Sequence, residues 1–226
     1  MNKNIEELRE IIYNTNFDAV AISETWLTKN TPKDRFELDN YSIIRNDRKN
    51  KRGGGVCWYV RDHYVAKVIK TPCSKEVPEM LWVEVATGGK KLVLGCLYKP
   101  PKIPYGVFAN LYDCLISIYA KYDHIILLGD FNVNMLDLNA NNTKTLLDTF
   151  IEPFSLKQLI DKPTRISRTS STLIDLILVN KSQNALFSGC CDAPGVSDHF
   201  FTYVAYSLKK RKIQTLQSDQ KGFQEC

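Results

Sequence analysis

The sequence holds only three histidines in 226 residues, and none stands at the spacing of a zinc finger. Its seven cysteines contain no CxxC pair, and Cys190-Cys191 are simply adjacent. Cys57, Cys96 and Cys114 fall inside apolar periodic segments, where cysteine behaves as a small core residue. A structural zinc site is therefore not expected. No apolar run approaches the roughly 20 residues of a bilayer-spanning helix, so no membrane partner is expected. The polar, acidic opening MNKNIEELRE does not have the pattern of a signal peptide. Internal repeats are absent, and so is any linker that would divide the chain.

What remains is an ordinary globular composition, 44% hydrophobic and 24% charged. A chain this long can bury roughly 70% of its unfolded surface in one core. The expected organisation is one domain over 1–208 and a polar tail over 209–226. The net charge of +5 is weak support for a polyanionic partner. Two basic runs sharpen it: RNDRKNKR over Arg45–Arg52, and KKRK over Lys209–Lys212. Either run alone reads as a solvated loop. A hydrolytic site between them would shift the balance towards phosphate-backbone contacts.

Periodicity predicts about eight strands and three or four helices. Helices are expected over Ile5–Ile12, Val107–Ala120 and Thr143–Phe154. Strands are expected over 18–23, 41–45, 55–60, 81–85, 91–98, 124–128, 173–179 and 200–206. HIILL, from His124 to Leu128, is apolar on both faces, as a central strand is. Early strands follow one another through Gly turns and later ones through helices. That mixture predicts an α/β sandwich with helices outside the sheets.

The chemistry gathers where strands end. DAVAIS delivers Glu24, KLVLGCLY delivers Tyr98, and HIILLGD delivers Asp130 with Asn132 two residues on. Asp175 interrupts the apolar run LIDLILV, and Ser197-Asp198-His199 stands at the mouth of the last strand. Glu24 alone reads as a turn residue, Tyr98 as an edge aromatic and Asp130 as a turn former. Asp175 is different, because a carboxylate in an apolar strand needs a partner, and Asp198 or His199 can supply one. Hard oxygen donors without a cysteine cluster favour Mg²⁺, with Mn²⁺ as an alternative, over zinc. Such a set suits attack on phosphorus, since a metal takes up charge developing on the phosphate oxygens.

Five ordered motifs carry a resemblance: SETWL (23–27), LYKPP (97–101), GDFN (129–132), STLIDLIL (171–178) and SDH (197–199). Together they resemble the endonuclease/exonuclease/phosphatase superfamily, the DNase I-like proteins. SETWL with PTR and STLIDLIL is similar to the endonuclease domain of non-LTR retrotransposons. The resemblance implies a four-layer α/β sandwich of two packed sheets flanked by helices. It assigns metal binding to Glu24 and places Asp198 near the metal. It sets Tyr98 near the scissile phosphate, Asp130 on the attacking water and Asn132 on the phosphate. His199 binds or protonates a phosphate oxygen, oriented by Asp175. The implied reaction is Mg²⁺-dependent hydrolysis of a DNA phosphodiester, with Arg45, Arg48, Lys49, Lys51, Arg52, Thr164 and Arg165 as candidate DNA contacts. A silent nucleic-acid- or protein-binding remnant, or a phosphatase of the same superfamily, are the alternatives.

The same resemblance implies a strand ahead of the first helix, like NARSL in relatives, that supplies an asparagine near the metal. Met1 is expected to fall after it, leaving activity of this chain open. A reverse transcriptase domain is the expected partner in a full-length element. A DNA substrate implies the nucleus, with the cytoplasm as the other expectation.

Overall fold

Alternation of apolar residues at period two, broken by glycine turns and one long amphipathic helix, builds two sheets that face each other. The computed structural model describes residues 4–49, 52–71, 78–193 and 195–209. In chain order the elements are α1 (Ile5–Thr15), β1 (Ala19–Ser23), β2 (Tyr41–Asn46), β3 (Val56–Arg61), β4 (Val65–Val68), β5 (Glu79–Thr87) and β6 (Lys90–Tyr98). There follow α2 (Phe108–Tyr119), β7 (Ile125–Asp130), α3 (Asn141–Leu146), β8 (Lys157–Gln158), β9 (Arg165–Ile166) and β10 (Ser171–Thr172). The last are β11 (Asp175–Val179), β12 (Ala185–Cys191) and β13 (Phe201–Tyr206). A π-helical turn, Leu147–Ile151, continues α3.

A six-stranded sheet runs β4-β5-β6-β7-β11-β8. Only β6 and β7 pair in parallel, and α2 connects them; the other neighbours are antiparallel. The facing layer consists of β1-β3-β2 and the separate pair β12-β13. β3 shows why this is a sandwich. Every residue from Val56 to Val60 is buried, which a sheet covered on one face cannot achieve. Val56, Trp58 and Val60 pack inward against the six-stranded sheet, while Cys57 and Tyr59 pack outward against Ile5, Leu8 and Ile12 of α1. On the far side, Phe108, Leu111, Leu115 and Ile118 of α2 cover the six-stranded sheet, joined by Leu146 and Phe150. The four layers expected from the resemblance are thus helix, sheet, sheet and helix.

Local chemistry sets the boundaries. α1 stops at Asn16, which takes φ 56° and returns its N–H to Ile12 O at 3.2 Å. Gly95 of β6 lies opposite Trp82 of β5, and a Cβ there would sit 2.4 Å from the indole. The sheet therefore needs glycine at that position to seat a fully buried tryptophan.

Five strands escape the sequence pattern: the two-residue β8, β9 and β10, too short to show a period, and the longer β4 and β12. β4 is an edge strand with Val65 and Val68 exposed, so it shows no apolar face to the reader. β12 carries a register shift between Ala185 and Phe187 and exposes Leu186 and Phe187, which breaks the alternation. Among the described residues, no helix is long and apolar enough to cross a membrane. Lys51, the tail from residue 210 onward and the KKRK run beyond Lys209 lie outside the described residues.

Candidate active site

Register across the six-stranded sheet assembles the site. Tyr98 at the end of β6 is the partner of Asp130 at the end of β7, and Asp130 is the partner of Asp175 at the start of β11. Directly opposed residues share a face. Three side chains far apart in sequence therefore stand in one row at one end of the sheet. The row continues to Glu79 at the start of β5, the partner of Tyr98.

Loops bring the remaining groups to this row. Gly129 at φ 137° lets the end of β7 lie against β6, since a Cβ would meet Leu97 O at 2.0 Å. The chain then turns through Asn132 at φ 46°. That turn folds Asn132 back on the aspartate: its N–H donates to Asp130 Oδ1 at 2.9 Å and its Nδ2 to Asp130 Oδ2 at 2.9 Å. Asn132 Nδ2 also reaches Lys99 O at 2.8 Å. On the other side of the row, His199 Nδ1 lies 2.9 Å from Asp175 Oδ2. The sequence expectation that Asp175 needs a partner is met by His199. Glu24 enters from β1, where it accepts a hydrogen bond from the Tyr98 hydroxyl.

Burial and charge set the protonation of these groups. Asp130 is 6% exposed, and its carboxyl is pushed up to about 7, first by burial and then by the charge of Asp175, with His199 opposing. Burial alone would lower His199, but the hydrogen bond and charge of Asp175, with Asp130 and Asp198, outweigh it and raise the imidazole above its ordinary value. Tyr98 is pushed up by burial and by its bond to Glu24, so it stays a phenol. Asp198 behaves oppositely: burial would raise it, but Arg165 wins and lowers it. A raised aspartate beside a raised histidine is the pattern of a site tuned to move protons near neutral pH.

Donor atoms of Asp130, Asp175 and His199 lie within 4.8 Å of one another, a cluster that could hold a divalent ion. Two carboxylates and an imidazole suit Mg²⁺ or Mn²⁺ in donor chemistry. Glu24 and Asp198 stand outside that cluster. The Glu24 carboxylate faces Tyr98, although its charge reaches Asp130. The Asp198 carboxylate pairs with Arg165, whose Nε and Nη2 lie 2.9 Å and 2.6 Å from Oδ2.

The candidate DNA contacts divide. Arg165 and Asp198 line an open groove of mixed polar and apolar character with Asn132, Ile166, Ser170 and Ile174. Arg52 is exposed and stacks over Trp26, with its guanidinium carbon 5.6 Å from the ring centroid, and Lys49 is exposed. Arg45 is held internally by Asp47 at 2.7 Å and by Thr28 O at 2.9 Å. Arg48 is tucked against Glu79 and the Tyr98 ring. The expectation that Thr164 touches the groove is corrected. Thr164 is fully buried, and its Oγ1 accepts the N–H groups of Ile174 at 3.1 Å and Asp175 at 3.0 Å. Burial of its hydroxyl beneath β11 makes it a support for Asp175.

Sequence reasoning missed three contributors. Glu79 belongs to the row only through register. Thr25, fully buried, accepts Leu27 N–H at 3.3 Å and shapes the turn after Glu24. Asn134 Oδ1 accepts Leu173 N–H at 3.0 Å and ties the loop after Asp130 to the segment before Asp175. The spacing of Asn132 and Asn134 in GDFNVN is the one signal that could have pointed to this last residue.

The family model for the endonuclease/exonuclease/phosphatase family matches residues 1–199. No curated protein matches the chain in sequence. Among solved structures, the endonuclease domain of TRAS1, a telomere-specific non-LTR retrotransposon, aligns with a TM-score of 0.70 at 15% identity over 92% of this chain and 94% of that one. The 3′ phosphatase NExo from Neisseria, bound to product DNA hairpin, aligns with a TM-score of 0.67 at 14% identity over 91% of this chain and 95% of that one. A mannosyl-6-phosphatase from Bacteroides thetaiotaomicron aligns with a TM-score of 0.66 at 17% identity over 91% of each. Those likenesses establish the shared DNase I-like fold. With the match running from the first helix to the histidine of the site, this chain belongs to the endonuclease/exonuclease/phosphatase family.

Proposed function

We propose that the protein is a Mg²⁺-dependent endonuclease that hydrolyses DNA phosphodiester bonds, of the kind that nicks a target strand for a non-LTR retrotransposon. The observation that carries this reading is the row of Tyr98, Asp130 and Asp175 with His199, opening beside a groove that holds Arg165. A polymer lying in that groove would present its backbone to Arg165, and the exposed Lys49 and Arg52 ahead of β3 are further candidate contacts. Such contacts position DNA without reading its sequence. The TRAS1 endonuclease domain and the DNA-bound NExo share the fold, which supports a nucleic-acid substrate.

Each residue has a role its surroundings support. Asp130, buried and held by both nitrogens of Asn132, accepts the proton of the attacking water. Asn132 fixes the direction of that carboxylate, and its Nδ2 would reach the phosphate by giving up its bond to Lys99 O. His199, whose protonated form Asp175 favours, donates to a phosphate oxygen where negative charge grows. The Tyr98 phenol stands beside the scissile phosphate and holds the Glu24 carboxylate. Glu24 and Asp198 are the carboxylates that would hold the metal, which leaves Asp130, Asp175 and His199 for the water and the phosphate. A bound Mg²⁺ supplies positive charge to the phosphate oxygens in the transition state. Hydrolysis forms a P–O bond to the water oxygen and breaks the P–O3′ bond; the departing oxygen takes a proton from solvent, leaving a 3′-hydroxyl and a 5′-phosphate. A reverse transcriptase domain would use that end as primer.

Nicking of supercoiled plasmid tests the reading. Relaxed circles are expected with Mg²⁺, none with EDTA, and none from His199→Ala. Folded protein that binds plasmid but never nicks it would instead establish a silent binding module.

A further inference from the structure

The left-handed backbone at Glu24 calls for an explanation. Glu24 takes φ 53° and Trp26 φ 58°, though neither is glycine or asparagine. Each such residue costs about 1 kcal/mol or more, so something must hold them. Their neighbours are held by the glycine turn before β3. Thr25 N–H donates to Gly55 O at 3.1 Å, and Trp26 N–H donates to Gly54 O at 2.8 Å.

That turn is itself pinned from below. The Glu79 carboxylate accepts the Gly55 N–H with Oε2 and the Arg48 Nε with Oε1. Its side chain is 9% exposed, so the pair is shielded from water. The Arg48 guanidinium crosses the turn so closely that a Cβ on Gly54 would lie 2.3 Å from it. It then lies 5.8 Å from the centroid of the Tyr98 ring. Its Nη2 is buried and has no hydrogen-bond partner among the described residues. Tyr98 in turn donates to Glu24. The contacts close a ring: Glu24, Tyr98, Arg48, Glu79, Gly55, Thr25, and back to Glu24.

We infer that Arg48 and Glu79 form a buried clamp that fixes the strained backbone at Glu24 and aims its carboxylate at the metal. Both are positioning residues for the proposed metal site. The inference rests on the proposed function only for its second half. It also reassigns Arg48, which the basic run alone would make a backbone-phosphate contact. Arginine suits the place because its planar fork can bond Glu79 and lie against the Tyr98 ring at once, which lysine cannot do. The pair needs both members, since removing one leaves the other buried and unpaired.

Two measurements on the full chain test the clamp. The first is amide hydrogen exchange of Thr25 and Trp26 in wild type, Arg48→Ala, Glu79→Ala and the double variant, with Leu127 in β7 as reference. Both amides are expected to exchange about tenfold faster in each single variant, with Leu127 little changed. The double variant is expected to match the singles, because one clamp is lost once. Glu79→Gln keeps an acceptor for Gly55 N–H and provides a folded variant should alanine fail. Rates at Thr25 and Trp26 that stay unchanged, or rise only in step with Leu127, overturn the clamp.

The second is calorimetric Mn²⁺ binding without DNA. Arg48→Ala and Glu79→Ala are expected to weaken it about fivefold or more, while Lys121→Ala, exposed after α2, leaves it unchanged. If Arg48→Ala instead leaves Mn²⁺ affinity intact and raises only the KM for DNA, Arg48 is a phosphate contact and the inference fails. If wild type neither binds Mn²⁺ nor nicks DNA, yet the amides loosen as stated, the proposed function falls and the clamp stands.

Discussion

Replacing Asp130 with asparagine is expected to stabilise the metal-free protein at alkaline pH while abolishing its chemistry. Its carboxyl is carried from 3.8 to about 7, chiefly by burial. Ionising it inside the folded chain at pH 8 therefore costs on the order of 4 kcal/mol relative to the unfolded chain. A carboxyl raised by folding holds its proton more tightly in the native state. Its contribution to stability is complete below 3.8 and is lost as pH climbs through about 7. His199 is also raised, so its contribution too is lost as pH rises, and the two do not offset each other. Asparagine is neutral throughout. It keeps an oxygen for the Asn132 N–H, but sets an amide against Asn132 Nδ2, which donates to Asp130 Oδ2 at 2.9 Å in the native chain. Losing that bond costs about 1–2 kcal/mol. The remainder is roughly 2–3 kcal/mol, or roughly 4–10 °C in Tm for a domain of this size. Thermal unfolding in EDTA at pH 5 and pH 8 measures it. The variant is expected to melt well above wild type at pH 8 and close to it at pH 5. A variant that melts below wild type at pH 8 refutes the claim that Asp130 is held ionised against its surroundings.

Three further outcomes follow from the same geometry. Asp175→Asn removes the charge that raises His199, so the pH at which nicking falls on the alkaline side should move down, with the rate reduced about 100-fold or more; a pH profile of plasmid nicking checks both. Gly129→Ala places a methyl 2.0 Å from Leu97 O at a φ of 137°. It should destabilise the fold by about 3 kcal/mol or more, read as a lowered urea midpoint. Arg165→Ala should weaken DNA binding and lower the salt slope by about one, and it frees Asp198 from its partner; fluorescence anisotropy across a salt series checks the first two.

Much of the fold could be read from the sequence because the buried strands write their pattern plainly. The apolar run from His124 to Leu128 announced a central strand, and β7 lies between β6 and β11. The helix expected over Val107–Ala120 appears as Phe108–Tyr119 with the anticipated buried face. The edge strands were hidden for the opposite reason. β4 and β12 expose their apolar residues, and periodicity records burial, not pairing. The site divides in the same way. Asp175 was legible because a carboxylate in an apolar strand demands a partner, and His199 is that partner. Glu79 was illegible, because only the register of β5 on β6 sets it opposite Tyr98. Thr164 misled because a threonine beside an arginine looks like a surface pair, and only tertiary packing reveals that its hydroxyl lies beneath β11. For Arg45 and Arg48 the basic run gives charge, not direction, and in the fold each is paired with a carboxylate.

The most direct test sets two candidate substrates before one protein. Purified protein is given supercoiled plasmid and a small phosphomonoester in parallel, with Mg²⁺ or EDTA, alongside His199→Ala and Asp130→Asn. The account predicts Mg²⁺-dependent nicks that leave 3′-hydroxyl ends, little phosphate from the monoester, and loss of nicking in both variants. Rapid release of phosphate with intact plasmid would contradict it, and would make the same row of residues the centre of a phosphatase.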